Sequence, residues 1–277
     1  MARLHLFELH DQRWFPAVWR DLLNDYLSFF AGVFRPYARV APLLAEALEA
    51  SGTRRIVDLC SGGGAAVLSI RHGLDQSGVG DVTITLTDKY PNLAAWRRAT
   101  GDGCGAVRFV SVPVDAADVP RDLDGFRTLF TSLHHFRPEQ ARAMLADAAV
   151  RGVGIGAFEY TEQNMLRWGL PVLLIPLFVW ATTPLMRPFS WRRLLWTYLV
   201  PVVPLVAMWD GLVSCLRSYS MEELETLVSS LPSNGLSWRV GRVRALGPAR
   251  VTFVVGWPCG ASGSRRRSVP GAADPVH

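Results

Sequence analysis

The sequence predicts an α/β protein: a doubly wound, seven-stranded sheet with an N-terminal helical segment and a large apolar helical insertion between the fifth strand and the last helix. Three observations predict it. Short β-rich apolar runs alternate with helix-compatible stretches between residues 55 and 158. The first of these runs ends in an acid and enters a helix through consecutive glycines, as a tight strand-to-helix turn requires. Two further β-rich runs, separated by a Gly-Pro turn, close the chain.

At 277 residues the chain suits one domain with one large embellishment. Residues 14–50 read as helical, with Val40, Leu43, Leu44, Ala47 and Leu48 on one face and Gly52 as the stop. The entry to that segment is rich in aromatics. Strands are expected at 55–59, 82–86, 107–112, 126–130 and 154–158, with helices at 65–71, 93–99 and 138–150 between them. Pro138 suits the first turn of its helix. A helix at 221–231 begins with a capping box of Ser220 and Glu223, and strands at 238–243 and 250–257 complete the sheet.

The string RIVDLCSGGG is the most informative in the chain. A dinucleotide fold would spell G-x-G-x-x-G at this place. The pattern is instead Asp58-x-Cys60-x-Gly62-x-Gly64. It resembles motif I of the class I S-adenosylmethionine (SAM)-dependent methyltransferases, small-molecule type, usually written D/E-x-G-x-G-x-G; Cys60 departs from it at the first glycine. The resemblance covers residues 54–158 and 220–257, and it makes the expected sheet a methyltransferase-type sheet.

The resemblance implies S-adenosylmethionine as cofactor, held by Asp58, Cys60, Ser61, Gly62, Gly64, Asp88, Lys89, Asp115, Ala116 and Ser132. Asp88, directly after the second strand, is positioned to accept the ribose hydroxyls, the logic also used in dinucleotide folds. Asp115 resembles the acid that reads the adenine amino group. TSLHHF resembles the segment beside the sulfonium, which makes His134 and His135 the candidate catalytic residues. A neutral imidazole could strip an acceptor's proton.

The expected function is methyl transfer to a small, largely apolar acceptor, lipid-like or natural-product-like. The alternative is a non-catalytic or cyclase-type protein of the same fold associated with a membrane or partner, which Cys60 keeps open. A net charge of +5 would permit a nucleic-acid partner, but no basic stripe with interleaved aromatics accompanies it, and none is expected. Cys60, Cys104, Cys215 and Cys259 show no metal-ligand spacing, so no metal is expected. They suit a reduced setting, and the first residues contain no apolar core of a signal peptide. These readings give a cytoplasmic protein, with peripheral membrane contact and a homodimer as open alternatives.

Five regions follow: an N-terminal helical cap (1–53), the SAM-binding core (54–164), the apolar insertion (165–217), a C-terminal helix and hairpin (218–258) and a disordered tail (259–277). Residues 169–186 and 194–209 carry no charge, with Arg187, Arg192 and Arg193 between them. Five prolines in these runs argue against membrane-spanning helices, since each interior proline costs about 3 kcal/mol. A lid, an interfacial anchor and a dimerisation surface remain as readings. Asp210 and Arg217, just downstream, are candidate acceptor-binding residues.

Overall fold

The computed structural model describes residues 3–100, 105–231 and 235–259. Cys104 and the tail from residue 260, with Arg265, Arg266 and Arg267, lie outside the described residues. One sheet holds β1 (Arg55–Leu59), β2 (Thr83–Leu86), β3 (Val107–Phe109), β4 (Phe126–Phe130), β5 (Ile155–Glu159), β6 (Leu236–Arg244) and β7 (Arg250–Pro258). Their order is β3-β2-β1-β4-β5-β7-β6. The first five are parallel, and β7 runs antiparallel between β5 and β6. Every residue of β4 and β5 is buried, as parallel strands covered on both faces must be. The third strand ends at Phe109, three residues short of the expected run. Val110 donates one more bond to Leu86, and the chain then leaves the sheet toward Pro113.

Ten helices accompany the sheet among the described residues: α1 (Ala17–Phe34), α2 (Ala41–Ala50), α3 (Ala65–Gln76), α4 (Leu93–Thr100), α5 (Pro138–Arg151), α6 (Met165–Leu173), α7 (Ile175–Thr182), α8 (Trp191–Leu194), α9 (Val202–Arg217) and α10 (Met221–Ser229). On one face of the sheet, Leu44 and Leu48 of α2, Ile70 and Leu74 of α3 and Trp96 of α4 bury against Ile56, Ile84 and Phe126. On the other, Met144 and Leu145 of α5 and Leu224 of α10 bury against Val57, Leu129 and Ala157. The helical stretch expected at 14–50 is made of the two helices α1 and α2. Arg35 ends α1 in the left-handed region (φ 44°), and Pro36 cannot continue the turn.

The insertion is α6 to α9, and it builds a third core with the N-terminal segment. Phe15, Leu22, Leu23 and Tyr26 pack on Val179, Met186, Val203, Val206 and Ala207. Prolines punctuate it: Pro176 opens α7, Pro184 sits in the turn after it, and Pro201 precedes α9. Among the described residues no single helix is long and apolar enough to cross a membrane, and the two apolar helix pairs are bent by 46° and 73°. The far end of α9 reaches the turn after β4, which brings the insertion to the sheet's C-terminal edge.

Candidate active site

The turn after β1 is built on left-handed backbone at Cys60 (φ 56°), Gly62 (φ 51°) and Gly64 (φ 82°). For Cys60 this conformation carries a penalty of about 1–2 kcal/mol that a glycine would not. Asp88, just past β2, closes the turn from the side: Oδ2 accepts the Gly62 N–H and Oδ1 the Tyr90 N–H, each at 2.8 Å. Burial raises its pKa, and those two N–H groups oppose the rise. Trp96 Nε1 donates to the Gly62 carbonyl at 2.9 Å. The helix α1 lies over the loop so closely that a Cβ on Gly63 would stand 1.8 Å from Ser28 Oγ.

The other residues of the set surround this loop. Ser61 Oγ donates to the Asp58 carbonyl, and Ala116 is buried in the second core. Lys89 Nζ reaches Asp115 Oδ2 at 2.8 Å, while Asp115 Oδ1 accepts the Ala117 N–H. The Asp58 carboxyl accepts from Thr128 Oγ1 at 2.6 Å, tying β1 to β4. Burial pushes its pKa up to about 7, with Asp88 adding to the rise and Thr128 and Ser61 opposing it. Burial also pushes the Cys60 thiol well up, so this cysteine is not a poised nucleophile.

The histidine turn is held from below by Glu159, the last residue of β5. Its Oε1 accepts the N–H groups of Ser132 (2.9 Å) and Leu133 (2.7 Å), and its Oε2 meets His134 Nδ1 at 2.6 Å. His134 is buried, with Glu8 Oε1 3.5 Å from its Nε2. Burial disfavours its charge, but Glu159 and Glu8 outweigh that and push its pKa up to about 10. The two carboxylates therefore favour the imidazolium form of His134 over the neutral imidazole that a base requires. His135 is partly exposed, and its Nδ1 meets Asp11 Oδ2 at 3.0 Å.

The structure assigns Asp210 and Arg217 partners inside the protein. Asp210 accepts from the Leu9 N–H (2.7 Å) and the His10 N–H (3.2 Å) and meets His10 Nδ1 at 2.9 Å. Arg217 donates to the carbonyls of His134 (3.2 Å) and His135 (2.7 Å) and to Asp11 Oδ2 (3.1 Å). Both therefore clamp a strap, residues 8–11, that lies against the histidine turn. Arg20 of α1 holds the same strap through the carbonyls of His10 and Gln12, and its guanidinium stacks 4.1 Å above the Tyr90 ring.

Glu8, His10, Asp11 and Glu159 were not on the sequence-derived set. The signal for the first three was the acid and histidine pairing in FELHDQ, embedded in apolar residues. Ligand atoms of Glu8, His134 and His135 lie within 4.8 Å of one another, as do those of His10, Asp11 and His135. That spacing could hold a cation. Arg217 already brings positive charge to this cluster, 3.3 Å from Glu8 and 3.1 Å from Asp11.

No family model matches the chain, and no curated protein matches it. Solved structures do. An O-methyltransferase family protein from Burkholderia thailandensis aligns over 86% of this chain and 59% of its own length, with a TM-score of 0.50 at 18% identity. The plantazolicin methyltransferase BpumL in complex with SAH aligns over 87% of this chain and 95% of its own, with a TM-score of 0.50 at 12% identity. This chain thus spans about three fifths of the first protein. At these identities the likeness establishes the fold: the sheet is the methyltransferase-type sheet that the sequence predicts.

Proposed function

We propose that this protein is a SAM-dependent methyltransferase acting on a small, largely apolar acceptor of natural-product or lipid-like kind. The observation that carries the reading is Asp88, a carboxylate at the end of β2 that braces the glycine turn at Gly62. Its oxygens retain lone pairs for a ligand's hydroxyls, and the turn's backbone permits close approach. Lys89 and Asp115 extend the same rim. The two methyltransferases of similar fold support the reading, one of them described in complex with SAH.

Bound SAM would supply an electrophilic methyl group, and the chain's residues position the acceptor, exclude water and take up a proton. We assign the base to His135, which is partly open and aligned by Asp11, and a positioning role to the buried His134, held between Glu159 and Glu8. The apolar acceptor follows from a nest of rings beside the end of β5. Phe30, Phe34, Tyr160, Trp168 and Phe178 stand with neighbouring centroids 5.2–6.3 Å apart. Mostly apolar walls with few polar groups are typical of small-molecule sites.

Calorimetry of SAM binding tests the reading. Asp88→Ala should weaken affinity by about 1.5–3 kcal/mol, the range for losing a charged hydrogen-bond partner. Unchanged affinity would remove the central observation. Incubating the protein with labelled SAM and a lipid and small-molecule extract then identifies the acceptor by what gains a methyl. The second reading, a cyclase-type or non-catalytic protein, draws on the left-handed Cys60 in the place of a glycine. It requires SAM binding with no methylated product.

A further inference from the structure

The insertion turns an apolar face outward. Leu170, Leu173, Leu174 and Leu177 recur at helical spacing along α6 and α7 and are all exposed, while Val172 and Val179 between and beyond them are buried. Farther on, Trp191 and Leu199 are each 76% exposed and line one shallow apolar concavity with Tyr198 and Leu195. Exposed apolar surface of this extent marks an interaction site.

Its charges point to the partner. Residues 163–209 contain no Asp or Glu and four arginines. Two of these are spoken for: Arg193 pairs with Asp25 at 2.8 Å, and Arg167 with Glu162 at 3.1 Å. Arg187 and Arg192, on the connector beside the exposed rings, are exposed and form no ion pair among the described residues. A second copy docked through the same patch would set these arginines against a segment that holds no carboxylate to meet them. The bent helix pairs are not single spans. Exposed leucines, Trp and Tyr beside unpaired arginines are instead the features of an element lying in a headgroup layer.

We propose that the outer face of residues 167–200 is a docking surface for a lipid bilayer carrying anionic headgroups. The proposal stands independently of the methyltransferase reading, because its test needs no cofactor or acceptor. The full chain is floated with vesicles of phosphatidylcholine alone and with vesicles that also contain phosphatidylserine. It should float with the mixed vesicles, be released by high salt, and show a blue-shifted tryptophan emission on binding. Arg187→Gln with Arg192→Gln should weaken binding to mixed vesicles about fivefold per arginine and flatten the salt dependence. Trp191→Ser with Leu199→Ser should abolish binding to the mixed vesicles. These side chains are exposed, so unchanged circular dichroism and melting temperature would verify that the variants fold. Wild-type protein that stays in the aqueous fraction with both vesicles would overturn the proposal, as would salt-insensitive binding to phosphatidylcholine alone. A dimer in vesicle-free solution that Trp191→Ser with Leu199→Ser dissolves, without vesicle binding by the wild type, would reassign the patch to self-association.

Discussion

Replacing Gly63 with Ala tests whether α1 truly rests on the glycine turn. The new Cβ would stand 1.8 Å from Ser28 Oγ, 3.1 Å from Ser28 Cβ and 3.3 Å from the Asn24 carbonyl oxygen. The first overlap drives Ser28 from its rotamer, a cost of about 0.5–1.5 kcal/mol. The other two press on backbone and a fixed carbon, and overpacking of that kind costs about 1–3 kcal/mol. Gly63 is not in the left-handed region, so alanine also returns about 0.4–1 kcal/mol by narrowing the unfolded ensemble. The midpoints of these ranges give a net loss of about 2 kcal/mol, with limits of about 0.5 and 4 kcal/mol, read by thermal unfolding as a fall of roughly 4–8 °C at the midpoint. Adding Ser28→Ala removes the closest contact but not the Asn24 one, so the double variant should recover about half. That recovery is a coupling of at least about 0.5 kcal/mol between the two positions. Strict additivity, or a Gly63→Ala variant as stable as the parent, would show that α1 does not lie there.

Three further expectations follow from the same geometry. Cys60→Gly should leave stability within about 1 kcal/mol of the parent, because relief of a left-handed side chain offsets the lost contacts, whereas Cys60→Val should lose about 1–3 kcal/mol; chemical denaturation that ranks the two variants the other way refutes the strain argument. His135→Ala should lower turnover of an identified O- or N-acceptor by about 10²–10⁴ with SAM affinity intact. A loss below about tenfold would remove the base assignment and leave proximity as the drive. Stability should also fall as pH rises. Burial opposes charge on His10 and His134, but Asp210, Asp11 and Glu8 hold the first at about 9, and Glu159 and Glu8 hold the second at about 10. Both values lie above the ordinary 6.5, so this contribution is complete below pH 6.5 and drains away as pH climbs through 9 and 10. His10→Gln should flatten that slope in melting curves taken across the range, and an unchanged slope would exclude His10 as its source.

Much of the sheet was legible because its signals are local. The strands at 55–59 and 126–130 are bounded by turn residues, and their limits coincide with β1 and β4. The box of Ser220 and Glu223 is there in full, each side chain bonding the other's backbone N–H. Asp88 was legible from its place after a strand. Glu159 was not, since an acid ending a buried run reads equally well as the first surface residue. The strap was hidden for a different reason. Glu8, His10 and Asp11 show no periodicity, and their partners lie about 200 residues away. Asp210 and Arg217 stand out as polar residues after an apolar run, but helix spacing does not tell whether they face a ligand or the strap at residues 8–11. The outward leucines of α6 and α7 escaped because composition counts apolar residues without revealing which way they point.

The strap has a bearing on the order in which the molecule comes together. Residues 8–11 leave the ribosome well before Asp210 and Arg217, which fasten them and are made about 200 residues later. Neither clamp can engage while the sheet's first five strands are being synthesised and paired. The histidine turn therefore stays without its clamped strap from its own synthesis until Asp210 and Arg217 emerge, with Glu159 beneath it. Closing so long a loop carries an entropic charge of order (3/2)RT ln n, which short-range pairing avoids. The fastening of the strap over His134 is thus a finishing step of assembly, and a nascent chain halted before residue 210 would lack both clamps.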